Sequence, residues 1–133
     1  MKKTAVSALS LLLLQGAAFQ GAAFADDFPR KPIEMIIPFD AGGNTDLMAR
    51  AIQQPMAASL GQPLIPLNKP GASATLGTGE TARAKPDGYT IAMVPLGPIT
   101  IQLSLRKLPY SSDSFDYVCQ TYNVPNFLMV SKS

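Results

Sequence analysis

The amino-acid sequence predicts an α/β fold with a mostly parallel, doubly wound sheet. Two short runs, residues 33–37 and 89–94, are apolar through their interiors, which is typical of parallel strands covered by helices on both faces. Strand-like and helix-like patterns alternate along the chain in the order βαβαβα. Such alternation favours parallel strands joined by crossover helices.

The first strand, residues 33–37, leads into a stretch termed here the glycine turn, residues 38–46, and then into a helix over residues 46–60. Gly61 is expected to end this helix in left-handed backbone. Pro55 has no N–H for the helix interior, a loss that costs about 3 kcal/mol and predicts a kink or a restart. The helix is predicted from four apolar residues that recur at four-residue spacing: Met48, Ile52, Met56 and Leu60.

The next two elements are a strand over residues 64–67 and a weak helix over residues 75–84. Pro66 cannot donate to a sheet ladder, so the strand is expected near a sheet edge. The helix contains Gly77 and Gly79, which each cost up to about 1 kcal/mol against alanine. We therefore expect this helix to depend on tertiary packing.

The third strand, residues 89–94, is followed by a second loop at residues 95–98 and a short helix over residues 99–106. Two apolar runs, residues 117–121 and 127–130, follow an irregular segment. The glycine turn and the second loop both follow the carboxyl ends of strands, where ligands bind in open α/β sheets. We expect the two loops to be neighbours in space.

The first 25 residues have the features of a cleavable export signal. Lys2 and Lys3 precede an apolar core over residues 5–14, and an Ala-Phe-Ala sequence ending at Ala25 is a cleavage site. The apolar core is shorter than the roughly 20 residues needed to span a bilayer, so a membrane anchor is not expected. The sequence predicts an exported protein that starts at Asp26, is periplasmic in a Gram-negative source and is not embedded in the membrane.

Composition excludes several kinds of function. Removing residues 1–25 takes away two of the eleven basic residues, so the remaining basic residues equal the nine acidic residues in number. No basic surface for nucleic acid is therefore expected. The chain has no histidine, which excludes a histidine-ligated metal and a Ser-His-Asp triad. No cofactor is predicted. The single cysteine, Cys119, lies in an apolar-rich stretch and is interpreted as a buried, inert thiol rather than a reactive one.

The glycine turn has two interpretations from its residues alone. Gly42 and Gly43 allow positive φ, and Asn44 or Thr45 can cap the following helix, so the turn is either a structural connection or a cradle whose backbone N–H groups hold an anion. Asp46 suits the helix dipole and is interpreted as a partner of Arg50 in preference to a ligand contact.

An ordered series of short motifs resembles the substrate-binding proteins of tripartite tricarboxylate transporters, the Bug-type periplasmic receptors for carboxylated solutes. The series covers essentially the whole chain after residue 25. Its members are Phe28-Pro29, Lys31-Pro32-Ile33, Pro38-Phe39, Gly42-Gly43, Thr45-Asp46, Ala49-Arg50, Leu60-Gly61-Gln62-Pro63, Asn68-Lys69-Pro70-Gly71-Ala72, Gly77, Pro86-Asp87-Gly88-Tyr89-Thr90, Leu108-Pro109-Tyr110 and Val124-Pro125-Asn126.

The resemblance implies a type II periplasmic-binding-protein fold, in which two domains close on an organic carboxylate that is delivered to membrane permease subunits. Residues 26–133 are then part of the first domain, ending near the inter-domain crossover, with the second domain missing. Family members usually carry a neutral residue in place of Asp40 and a Thr-Ser-Gly loop in place of residues 95–97. The resemblance also favours the carboxylate cradle as the role of the glycine turn, with these candidate ligand-binding residues: Phe39, Ala41, Gly42, Gly43, Asn44, Thr45, Asp46 and Gly97. Thr100, after the second loop, is a further candidate because its hydroxyl could replace the missing hydroxyl donors.

Two other functions compete with a carboxylate receptor. One is a truncated fragment of such a receptor that does not bind, since half of a closing clamp would expose apolar surface. The other is a small α/β enzyme, which is less favoured because the sequence contains no G-x-G-x-x-G, P-loop or G-x-S-x-G motif.

Overall fold

The computed structural model describes residues 28–125 and 127–131. The predicted export signal, residues 1–25, lies outside the described residues. None of the helices in the described part is both long enough and apolar enough to cross a membrane. The elements in chain order are β1 (Ile33–Ile37), α1 (Asn44–Leu60), β2 (Leu64–Asn68), α2 (Thr75–Arg83), β3 (Thr90–Ala92), α3 (Leu96–Ile99), α4 (Ile101–Leu105) and a 3-10 turn (Ser112–Ser114).

The three strands form one parallel sheet in the order β2-β1-β3. β1 is central and pairs Met35 with Pro66 of β2 and Ile36 with Ala92 of β3. The position of β2 at a sheet edge confirms the prediction made from Pro66. The parallel α/β architecture is likewise confirmed.

The two faces of β1 are covered by different helices. Ile33, Met35 and Ile37 lie on one face and are almost fully buried in a cluster with the apolar stripe of α1. Ile36 is equally buried but points to the opposite face, because side chains alternate along a strand. Pro38, which follows β1, approaches Gly77 of α2 on that side. The sheet is therefore doubly wound, as predicted.

Helix α1 begins two residues earlier than predicted and runs without interruption through Pro55 to Leu60. The helix therefore does not restart at Pro55, and the alternative, a kink at this residue, stays a prediction. Pro55 and Ala51 are both exposed, so water can hydrate the Ala51 carbonyl that lacks its helical partner. Gly61 ends the helix with φ 68°, which confirms the predicted left-handed cap.

Helix α2 depends on close packing at one glycine, as predicted. A Cβ on Gly77 would lie 2.7 Å from the Lys69 carbonyl oxygen and 3.0 Å from the Cβ of Pro38. Only glycine lets α2 approach the ends of β1 and β2 this closely. The surrounding chain therefore compensates for the poor helix propensity of this residue.

The carboxyl-terminal part differs most from the prediction. Two short helices, α3 and α4, replace the predicted loop at residues 95–98 and helix at residues 99–106. Described residues beyond 114 form no helix or strand, and Val118, Leu128 and Val130 are at least 90% exposed. Cys119 is also exposed, so its predicted burial is wrong. Its apolar neighbours do not bury it because no described element packs over this segment.

Candidate functional site

The sheet topology brings the two predicted loops to the same edge. β1 and β3 are parallel neighbours, so the glycine turn after β1 and the second loop after β3 both leave the sheet at its carboxyl edge. The chain passes from β1 to β2 on one side and then to β3 on the other, which makes this edge the point where the strand order reverses. In open α/β sheets that point is the usual ligand crevice.

The glycine turn is closed by its own hydrogen bonds. Gly42 has φ 82°, and its N–H donates to Oδ2 of Asp46 at 2.8 Å. The Gly43 N–H donates to the Asp40 carbonyl at 3.3 Å, and Gly43 has an ordinary φ of −74°. Positive φ is thus confirmed for Gly42 and wrong for Gly43. Both N–H groups are engaged within the turn, so they are not the free donors that the sequence interpretation expected.

The first turn of α1 supplies the donors instead. The first helical bond runs from the Leu47 N–H to the Gly43 carbonyl at 2.9 Å, which leaves the N–H groups of Asn44, Thr45 and Asp46 without a carbonyl inside the helix. No side chain of the described chain caps this end, so the predicted capping by Asn44 or Thr45 is wrong. The uncapped helix start therefore offers these three N–H groups, together with the positive end of the dipole of a 17-residue helix.

Asp46 is buried at the centre of a polar network, with only 2% of its surface exposed. Its Oδ2 accepts from Nε of Arg50 at 2.9 Å as well as from Gly42, and its Oδ1 accepts from the Asn68 amide at 3.0 Å. The Arg50 guanidinium, followed by the Gly42 N–H and the Asn68 amide, holds the pKa of Asp46 well below the ordinary carboxyl value. The interpretation of Asp46 as the partner of Arg50 is confirmed.

The lowered pKa of Asp46 predicts a specific loss of stability in acid. A carboxyl whose pKa is depressed on folding stabilises the fold above its unfolded pKa, near 4, and loses that contribution as the pH falls toward its folded pKa. The melting temperature of Asp46→Asn is therefore expected to lie below that of the wild type by an amount that is largest above about pH 5 and shrinks below about pH 4. Thermal melts between pH 7 and pH 2 measure this difference.

The matched control is Glu80→Gln, which removes a carboxylate from the half-exposed ion pair with Lys69 at 3.3 Å. An exposed pair contributes little, so the melting temperature of this variant is expected to follow that of the wild type closely at every pH. A difference between Asp46→Asn and wild type that stays constant down to pH 2 would contradict the assignment.

The second loop has its polar groups engaged locally. The Thr100 hydroxyl donates to the Leu96 carbonyl at 2.7 Å, and the Thr100 N–H donates to the Gly97 carbonyl at 3.4 Å. The hydroxyl of Tyr110 donates to the Pro98 carbonyl at 3.0 Å, and burial raises the pKa of this tyrosine. Tyr110 thus holds α3 through the Pro98 carbonyl. The Thr100 hydroxyl is bonded to Leu96 and is not a free donor for a solute.

The remaining predicted site residues lie in the glycine turn. Ala41 and Asn44 are exposed, Phe39 is half-buried, and the Phe39 carbonyl accepts from the Asn68 amide at 3.0 Å. Thr45 is buried, with its hydroxyl 3.3 Å from the hydroxyl of Tyr122. Ligand contact by any of these residues stays a prediction.

Two residues that the sequence interpretation did not assign to the site belong to its structure. Asn68 ends β2 beside the glycine turn, and its place at the carboxyl end of a predicted strand was the available signal. Tyr122 reaches Thr45 across 77 positions of sequence. No local sequence pattern predicts this contact, because it depends on the path of the irregular segment that contains Tyr122.

Comparison with known proteins identifies the family. Residues 48–133 match the model of the tripartite tricarboxylate transporter family receptor, TctC. The chain belongs to this receptor family. The Bug-type resemblance drawn from the motifs is thereby confirmed.

Relatives in this family extend well beyond the length of the present chain. The chain is 38% identical over 112 residues to protein BugT of Bordetella pertussis, a match that covers 83% of this chain and 34% of BugT. It is 34% identical over 106 residues to a protein from Pseudomonas, covering 79% of this chain and 32% of the relative. The chain therefore spans about a third of the length of the curated relatives it matches.

Two solved structures share this fold over part of their length. MatC from Rhodopseudomonas palustris, solved with bound malate, is 40% identical with a TM-score of 0.62, covering 65% of this chain and 30% of MatC. A periplasmic transporter is 41% identical with a TM-score of 0.61, covering 63% and 29% of the two chains. These likenesses place the three-stranded sheet within part of a periplasmic-binding-protein fold.

Proposed function

We propose that this chain acts as a periplasmic receptor that binds an organic carboxylate and delivers it to the permease subunits of a tripartite tricarboxylate-type transporter. The observation that carries the proposal is the uncapped start of α1 at the carboxyl edge between β1 and β3. Family membership supports the proposal, and the malate bound to MatC supports a carboxylate as the solute. The solutes proposed are a di- or tricarboxylate, an acidic amino acid or an aromatic carboxylate.

The geometry indicates how a carboxylate would be held. Its oxygens would accept from the N–H groups of Asn44, Thr45 and Asp46, directly or through water, with the helix dipole favouring the negative charge. A helix N-terminus contributes about 0.3–1 kcal/mol when exposed and up to about 2 kcal/mol when partly buried. Tight binding therefore requires a second wall, which a closing second domain would supply.

The proposal includes the place of the chain in the cell and in the fold. Residues 1–25 would direct export and be removed after Ala25, and residues 26–133 would form part of the first domain of a type II periplasmic-binding-protein fold. The mass of the chain recovered from the periplasm of a Gram-negative host tests the cleavage. A chain that starts at Asp26 supports this assignment, and an uncleaved chain in the membrane fraction overturns it.

Calorimetric titration of the exported, purified chain tests binding. Malate, citrate, succinate, glutamate and an aromatic carboxylate are titrated after a thermal melt has shown cooperative unfolding. Saturable heat with at least one of them is expected, and Gly43→Val should abolish it, because a Cβ at this position already lies 3.3 Å from the Asp40 carbonyl and its methyl groups crowd the helix start. A folded chain that responds to none of these carboxylates would refute the receptor function.

Asp40 provides a test with the opposite sign. Its carboxylate is exposed in the glycine turn and opposes an anionic solute at the start of α1. Asp40→Asn is expected to tighten carboxylate binding by up to about fivefold at low ionic strength, with the gain shrinking as salt is added. The control is Glu34→Gln, which removes an exposed carboxylate at the opposite end of β1 and should leave the affinity unchanged. Equal effects of the two variants would argue against an anion site at the turn.

A further inference from the structure

Both carboxylate oxygens of Asp46 are engaged by donors of this chain. Its two oxygens accept three hydrogen bonds, from Gly42, Arg50 and Asn68, all between 2.8 and 3.0 Å. The residue is 2% exposed, whereas Gly42 in the adjoining turn is exposed. A buried carboxylate whose donors all come from this chain would also repel an anionic solute that approached it directly.

The orientation of the Asn68 amide is determined by three hydrogen bonds. Its nitrogen donates to the Phe39 carbonyl and to Oδ1 of Asp46, both at 3.0 Å. Its oxygen accepts from the guanidinium of Arg50 at 3.2 Å. Reversing the amide would set its oxygen against two acceptors and its nitrogen against a donor, so only one orientation satisfies the site.

These bonds join three elements that the sequence separates. Phe39 follows β1, Asn68 ends β2, and Asp46 and Arg50 lie in the first two turns of α1. The Phe39 carbonyl and the Gly42 N–H are backbone groups on the two sides of Asp40 and Ala41, so the network holds the glycine turn on both sides of these two residues.

We propose that Asp46 and Asn68, with Arg50, are positioning residues that fix the glycine turn and the start of α1 for carboxylate binding, and that Asp46 does not contact the solute. The part that concerns the solute rests on the proposed receptor function. An acidic residue whose only role was to stabilise the helix dipole would need neither the bond to Gly42 nor the bond to Asn68. A residue that served only as a solute contact would keep an oxygen free.

Hydrogen exchange of the Gly42 amide tests the positioning without any solute. Gly42 is exposed, so its amide should exchange with solvent deuterium almost as fast as in an unfolded peptide unless the bond to Asp46 protects it. In the exported wild-type chain, nuclear magnetic resonance is expected to show exchange of this amide at least tenfold slower than the unfolded rate. Exchange at the unfolded rate in a folded chain would overturn the proposal.

Two variants extend the test to binding. Asp46→Ala removes both oxygens that accept from Gly42, Arg50 and Asn68, and Asn68→Ala removes the hydrogen bond to the Phe39 carbonyl. Each is expected to weaken carboxylate binding at least tenfold at a temperature where the chain is fully folded, and Asp46→Ala should also remove the Gly42 protection. Glu80→Gln, which removes an exposed carboxylate from α2, is expected to change neither quantity.

The outcomes separate the two proposals. If the wild type binds no carboxylate but its Gly42 amide is protected and Asp46→Ala speeds its exchange to the unfolded rate, the positioning stands and the receptor function fails. If Asp46→Ala does not fold, the wild-type exchange rate and Asn68→Ala decide. Wild-type affinity in a folded Asp46→Ala or Asn68→Ala variant would overturn the positioning role.

Discussion

Replacing Ile37 by alanine is expected to lower the free energy of unfolding by about 2–5 kcal/mol, the usual cost of removing a large aliphatic side chain from a packed core. Ile37 has no exposed surface and lies on the central strand, in the cluster that joins β1 to α1. The chain around it cannot collapse into the space because β2 and β3 hold β1 from both sides. A domain of this size loses roughly 4–8 °C in melting temperature per kcal/mol, so the change is large.

The same substitution at Ile65 is the control for this prediction. Ile65 lies on the neighbouring edge strand and is 41% exposed, so Ile65→Ala should cost less than about 1 kcal/mol. Urea unfolding followed by circular dichroism measures both variants. Equal losses at the two positions would mean that the apolar face of β1 is not the core of the folded chain.

Replacing Gly77 by alanine is expected to destabilise the chain by about 1–3 kcal/mol, the cost of overpacking a close contact. The added Cβ would sit 2.7 Å from the Lys69 carbonyl oxygen, a backbone atom that cannot rotate away as a side chain could. Helix α2 would have to move away from the ends of β1 and β2. Because Pro38 opens the glycine turn and lies 3.0 Å from the same Cβ, the displacement should also weaken the proposed carboxylate binding.

Gly79, two residues further along α2, offers a matched control. A Cβ there would meet the Tyr110 ring at 3.5 Å, an ordinary contact, so Gly79→Ala should stabilise the chain by up to about 1 kcal/mol through helix propensity. The two variants make the same chemical change in the same helix with opposite expected signs. Thermal melts measure the change in stability of both variants. Stabilisation by Gly77→Ala would show that α2 does not pack as closely as described.

Much of the architecture follows from local patterns. β1 has the bounds that its apolar run predicts, and the four-residue spacing from Met48 to Leu60 marks the face of α1 that packs on it. Pro66 predicts an edge strand because a missing donor is tolerated only there. These features depend on residues close together in sequence, so a single sequence is enough to predict them.

The detailed geometry of the site depends on residues far apart in sequence and was not predictable in the same way. The bond between Gly42 and Asp46 could be guessed from their spacing, but the contribution of Asn68 requires β2 to lie beside β1. The exposure of Cys119 shows a second limit. Apolar composition predicts burial only where another element is available to cover the segment.

The central position of β1 also constrains the order in which this chain can fold. β1 leaves the ribosome first, but its partners are residues 64–68 on one side and residues 90–92 on the other. Phe28, at the start of the described chain, packs edge-on against Tyr89 at 5.0 Å between ring centroids. Contacts of such long sequence separation form slowly, because the intervening loops must close before any pairing energy is gained. The amino-terminal third of the described chain therefore cannot complete its core until β3 has been synthesised.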